Sequence, residues 1–227
     1  MPILFDTVLE VDQDIARNIV KIHTPMQTFS DLIEDNEDAN IAEKAIIAVM
    51  KNTSSHADFH YTASIGFPFE TDNFMGSRFS DGTFPVWYGS MDIMTTIYET
   101  THHMIKTEMA LENIQNISTI SRERIIYDVQ CQTILIDLTR KKRYYPDLVA
   151  DSYQTTQAIG KQLSQQGFPG LLSPSARHHR GVNANIFKQD ILSQPRISCE
   201  LTYRLFPQDK KVKVYKKNRI FIEIPFD

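Results

Sequence analysis

The chain has 227 residues, 41% of them hydrophobic, and a formal net charge of −4. This is the composition of a soluble globular protein, long enough to bury a sizeable core and better suited to one domain than to two. It excludes a generally basic nucleic-acid binder, and no run reaches the roughly 18 apolar residues of a membrane helix. The start, MPILFDTVLEVDQD, lacks a basic, apolar leader and reads as mature protein, with the cytoplasm as the expected compartment.

In chain order, residues 8–21 and 38–51 read as helices, the second with Ala42, Ala45, Ile46 and Val49 at helical spacing. Between Asp31 and Glu43 lie six acids and no base, a solvated face or a docking segment. The alternation in residues 58–65 predicts a strand. Gly76, Asp81-Gly82 and Pro85 mark turns, and Val86-Trp87-Tyr88 a short strand. Asp92 can cap a helix over 92–112. There Ile93, Ile97 and Met104 fall within about 40° of one another and form the core stripe, so Glu99 faces away from the core.

Residues 122–138 read as one long strand or two paired ones, and 151–166 as a helix ended by Gly167. Leu171-Leu172 is a short buried strand running into Ser173-Pro174-Ser175. Residues 183–187, 197–206, 211–215 and 219–224 are further strands. Seven bases stand against one acid, Asp209, between Arg204 and Arg219, a basic surface and a second candidate docking face. Strands and helices are not regularly interleaved, so the expected class is α+β, with mainly antiparallel sheets and flanking helices. The expected division is a helical segment over 1–57, a core over 58–195, and a β-hairpin extension of the same domain over 196–227.

Cys131 and Cys199 read as buried thiols rather than a disulfide framework. The pairs His102-His103 and His178-His179 are adjacent in sequence. They lack the i, i+4 arrangement of a helical zinc site, and no metal is expected.

Five short motifs follow one another: Gly76-Ser77-Arg78-Phe79-Ser80, Val86-Trp87-Tyr88-Gly89-Ser90, Ile97-Tyr98-Glu99, Gly170 through Ser175 to Arg177, and Asn183-Ala184-Asn185-Ile186-Phe187. Arg78 and Tyr88 are ten residues apart, Tyr88 and Glu99 eleven. Together with the segment from Asp151 to Gln157, this series resembles the RES domain family over about residues 75–190. Thr96 and Ile97 stand where the family often has alanine, and Trp87 where an aliphatic residue is usual.

The resemblance implies a fold similar to ADP-ribosyltransferase toxins. It implies a bacterial toxin neutralised by an Xre-type helix-turn-helix antitoxin, with NAD⁺ as substrate. Arg78, Tyr88, Glu99 and Ser175 are then the expected catalytic residues. Arg78, Phe79, Tyr88, Ser175, Arg177 and Asn183 are expected to bind NAD⁺. The chemistry of the side chains fits. NAD⁺ carries a charged pyridinium leaving group, so breaking its bond to ribose calls for positioning and for a carboxylate opposite the developing oxocarbenium charge. Glu99 suits that task. Arg78 would clamp the pyrophosphate or a ribose hydroxyl, Tyr88 would stack on the nicotinamide, and Ser175 would bond the ribose or Glu99. An antitoxin segment entering such a pocket would present an acidic group or a terminal carboxylate to Arg78. Two alternatives remain: transfer of ADP-ribose to a protein, and a binding module without turnover.

Overall fold

The computed structural model describes residues 4–21 and 56–227. Ten strands and three α-helices are found among them: β1 Val8–Val20, α1 His56–Tyr61, β2 Gly76–Ser77, β3 Ser80–Asp81, β4 Trp87–Ser90, α2 Ile93–Glu108, β5 Ile120–Asp137, α3 Gln154–Gln165, β6 Gly170–Pro174, β7 Val182–Ile186, β8 Leu192–Phe206, β9 Lys211–Lys216 and β10 Arg219–Pro225. The expected α+β class with a mainly antiparallel sheet is what this order builds.

The eight-stranded sheet runs β1-β4-β7-β6-β5-β8-β9-β10, and β1 also pairs with β5. β5 organises it. One of its edges carries β1 from Arg124 to Ile136, and the other carries β8 and then, at Ile136 and Asp137, the parallel strand β6. β4 meets β1 at Ala16 and Ser90, which closes β1, β4, β7, β6 and β5 into a ring. All five ring strands contribute to one core cluster, among them Ile15, Trp87, Val129, Leu172 and Ile186. α2 packs Ile97 and Met104 with Ile126, Leu201 and Tyr203, and α3 packs Ile159 and Leu163 with Ile136, Leu138 and Phe79. Removing these apolar surfaces from water drives the assembly.

Two elements differ from expectation. The helix expected over 8–21 is instead the strand Val8–Val20. Val11, Ile15 and Ile19 are four apart, a spacing that suits one face of a helix and, as a multiple of two, one face of a strand. A thirteen-residue ladder with β5 decides between them, burying Val11 and Ile15. Residues 58–65 are helical, not extended: α1 runs into a π-turn over Thr62–Gly66. The indole Nε1 of Trp87 donates to the Ser64 carbonyl at 2.7 Å, pinning that turn to the ring core.

The helix expected over 38–51 and the acidic run lie outside the described residues. β1 belongs to the central sheet, and residues 195 and 196 both lie within β8. Cys131 is buried and Cys199 half-buried, and they do not pair.

Candidate active site

α2 begins as its sequence predicts. Asp92 caps it, accepting from the Thr95 backbone N–H at 2.8 Å through Oδ1. With Ile97 and Met104 buried, Glu99 is held at the side of the helix, half-exposed, above strands β6 and β7. There its Oε1 accepts two hydrogen bonds, from the Ser175 hydroxyl at 2.6 Å and from Asn183 Nδ2 at 2.9 Å. Among the described residues no donor reaches Oε2.

The two donors are themselves fixed. Ser175 is buried just beyond β6, and its Oγ accepts from the backbone N–H groups of Arg177 and His178 at 3.1 and 2.9 Å. Its single proton is thereby aimed at Glu99. Asn183 accepts from the Ser90 hydroxyl through Oδ1 at 2.8 Å, so its Nδ2 is the nitrogen turned to Glu99. The strand register explains the grouping. Ser90 pairs with Asn183 across β4 and β7, and Ser173 with Asn183 across β7 and β6. Alternation then puts Tyr88 and Asn185 on the same face, where Asn185 Nδ2 donates to Ser173 Oγ at 2.9 Å. The floor under Glu99 is a ladder of satisfied polar side chains.

Arg78 and Phe79 form the turn between β2 and β3. Arg78 Nη1 donates to the Ala150 carbonyl at 2.6 Å, and its guanidinium lies 4.6 Å over the Tyr153 ring, a cation–π contact. Arg177 Nη2 bonds Asp151 Oδ1 at 2.6 Å. Both arginines therefore hold the segment that leads into α3. The Arg177 guanidinium keeps the Asp151 carboxyl below the usual carboxylate range. Burial and then Arg177 press the half-buried His102 imidazole below its ordinary value.

The structure holds Phe79 and Tyr88 by contacts of their own. Phe79 is fully buried in the α3 core, so its ring is packing rather than a ligand contact. Its backbone N–H donates to the Tyr88 hydroxyl at 2.9 Å, and Ser77 Oγ lies 2.6 Å from the same hydroxyl. Tyr88 thus pegs the turn that carries Arg78, and burial pushes its phenol up to about 12. Gln157 of α3 brackets the same turn, donating to the Ser77 and Ser80 carbonyls.

Ser90, Thr95 and His178 also belong to this network, and none was among the expected site residues. Two carried a signal. Ser90 lies two residues beyond Tyr88 on a strand, and Thr95 one turn before Glu99 on a helix. Among the described residues no group of three or more His, Cys, Asp or Glu side chains gathers as a metal site would. No helix among them is long and apolar enough to cross a membrane.

No curated protein matches the sequence. A solved structure, that of the M. tuberculosis MbcT–MbcA toxin–antitoxin complex, is similar at 15% identity with a TM-score of 0.44, over 84% of this chain and 86% of that one. The sequence model of the RES domain matches residues 53–205, a span that runs from before α1 to the end of β8 and contains Arg78, Tyr88, Glu99 and Ser175. The chain belongs to the RES domain family.

Proposed function

We propose that the chain is a toxin-type enzyme that cleaves the nicotinamide–ribose bond of NAD⁺, with Glu99 as its catalytic carboxylate. The observation that carries this reading is the state of that side chain. Ser175 and Asn183 both bond Oε1, and among the described residues no donor reaches Oε2.

Such a carboxylate is preorganised: its orientation costs nothing at the moment of reaction. Oε2 would accept a hydrogen bond from a ribose hydroxyl and oppose the charge that grows on the ribose ring. The C–N bond breaks as nicotinamide leaves with the electron pair. A bond from the anomeric carbon to the oxygen of water, or of phosphate, replaces it. Arg78 and Arg177 would meet the pyrophosphate oxygens, exchanging their present partners for the ligand. An antitoxin of the Xre type would silence the enzyme by presenting an acidic segment to Arg78.

Incubation with NAD⁺ and chromatography of the products tests the reading. Nicotinamide release by wild type and loss of about 10²-fold or more in Glu99→Gln are expected, as for removal of a main electrostatic group. Absence of release by wild type defeats it. Mass spectrometry of lysate proteins separates the outcomes further. Free ADP-ribose or its phosphate supports cleavage, and ADP-ribose on a protein supports transfer instead.

A further inference from the structure

The hydrogen bonds around Glu99 continue outward to a residue that touches neither Glu99 nor the open oxygen. The Thr95 hydroxyl donates to Asp92 Oδ2 at 2.6 Å, and the same Oγ1 lies 2.8 Å from His178 Nδ1. A hydroxyl has one proton, and a carboxylate only accepts, so that proton goes to Asp92. His178 Nδ1 must then carry the hydrogen and donate to Thr95. In the neutral ring Nε2 is bare. The imidazole also lies flat on Tyr98, with 4.8 Å between centroids and 6° between planes. The contact is close on the backbone side as well. A Cβ on Gly181 would stand 2.5 Å from Thr95 Oγ1, so the turn seats directly on the helix.

These contacts couple two rigid pieces. Thr95 and Glu99 lie one turn apart on α2, and Ser175 and His178 lie on one turn after β6. His178 joins the first pair of ends at Thr95, and Ser175 joins the second at Glu99. The His178 backbone N–H closes the circuit on Ser175 Oγ at 2.9 Å. We propose that His178 is a positioning residue for Glu99. Its Nδ1–H bond to Thr95 seats the turn so that the Ser175 hydroxyl reaches the carboxylate. This rests on reading Glu99 as the catalytic group.

Steady-state nicotinamide release by two variants tests it. His178→Phe keeps a flat ring for Tyr98 and removes the donor. His178→Asn places an amide donor near the Nδ1 position. One neutral hydrogen bond corresponds to about a three- to ten-fold effect. His178→Phe should lower kcat by about that factor with KM little changed, and His178→Asn should restore most of it. In a Glu99→Gln background His178→Phe should cause no further loss, because the residue acts through the carboxylate. Multiplicative losses, a rise in KM at constant kcat, or an Asn variant as impaired as the Phe variant would overturn the proposal. If His178→Phe does not fold, Thr95→Val removes the acceptor instead, with the same kcat loss expected. Nitrogen NMR of the wild-type imidazole gives a readout independent of turnover. A protonated Nδ1 that changes in Thr95→Val supports the placement, and an Nε2–H tautomer overturns it. If wild type releases no nicotinamide, the proposed function fails while the NMR result still decides the position of His178.

Discussion

The Ser175 hydroxyl stands 2.6 Å from Glu99 Oε1, its one acceptor among the described residues, while the Arg177 and His178 amides donate to its oxygen. On the proposed function the serine orients the carboxylate and is not the nucleophile. Ser175→Ala should lower kcat about ten-fold or more and leave KM within about two-fold, since a charge-assisted bond is roughly twice as strong as a neutral one. No covalent ADP-ribosyl adduct should form on Ser175 in wild type. Wild-type kcat in the alanine variant, or an adduct on the serine by mass spectrometry, would refute that role.

Asn183 offers a sharper electrostatic test. Its Nδ2 lies 2.9 Å from Glu99 Oε1, and its Oδ1 is taken by Ser90. Asn183→Asp keeps the shape but sets two carboxylates against each other, and such a pair holds a proton that a lone carboxylate releases. Nicotinamide release near neutral pH should fall more than ten-fold. Release at the wild-type rate would show that Glu99 does not sense position 183.

Much of this site was legible because its signals are local. A cap at Asp92 and the stripe of Ile93, Ile97 and Met104 set the phase of α2, and phase alone turns Glu99 off the core. What escaped depends on pairing at a distance. Residues 8–20 carry four-residue spacing that serves helix and strand alike, and only β5, more than a hundred residues away, decides. The burial of Phe79 follows from α3, which presents Gly160 to the Phe79 backbone, and nothing near Phe79 announces that. The hydrogen bond at the Tyr88 hydroxyl likewise depends on a hairpin folding back onto it.

Gly160 is the point where α3 fixes the arginine-bearing turn. A Cβ there would stand 2.0 Å from the Phe79 carbonyl oxygen, which is backbone and cannot swing aside. Gly160→Ala is a helix-favouring change elsewhere, yet here it forces α3 and the turn apart. The expected destabilisation is about 2 kcal/mol or more by denaturant titration. In whatever fraction stays folded, KM for NAD⁺ should rise more than kcat falls, since Arg78 moves and Glu99 does not. A variant as stable as wild type would mean the helix is free to shift.

Alkaline pH should unfold the protein through its buried acids. Burial pushes the Cys131 thiol from 9.0 up to about 11, and the Tyr88 and Tyr127 phenols from 10.0 up to about 12. In each case the fold favours the protonated, neutral form. The stability this confers is complete below the unfolded values, near pH 9 to 10, and is lost as pH rises through the folded ones. The midpoint of thermal unfolding should therefore hold steady to about pH 9 and then fall progressively toward pH 12. Tyr127 is the best single probe, since it sits in the ring core with its hydroxyl 2.7 Å from His60 Nδ1. Tyr127→Phe should lower the midpoint at pH 7 through loss of that bond and make the decline above pH 10 shallower than in wild type. An equal slope in both proteins would assign the alkaline loss to other groups.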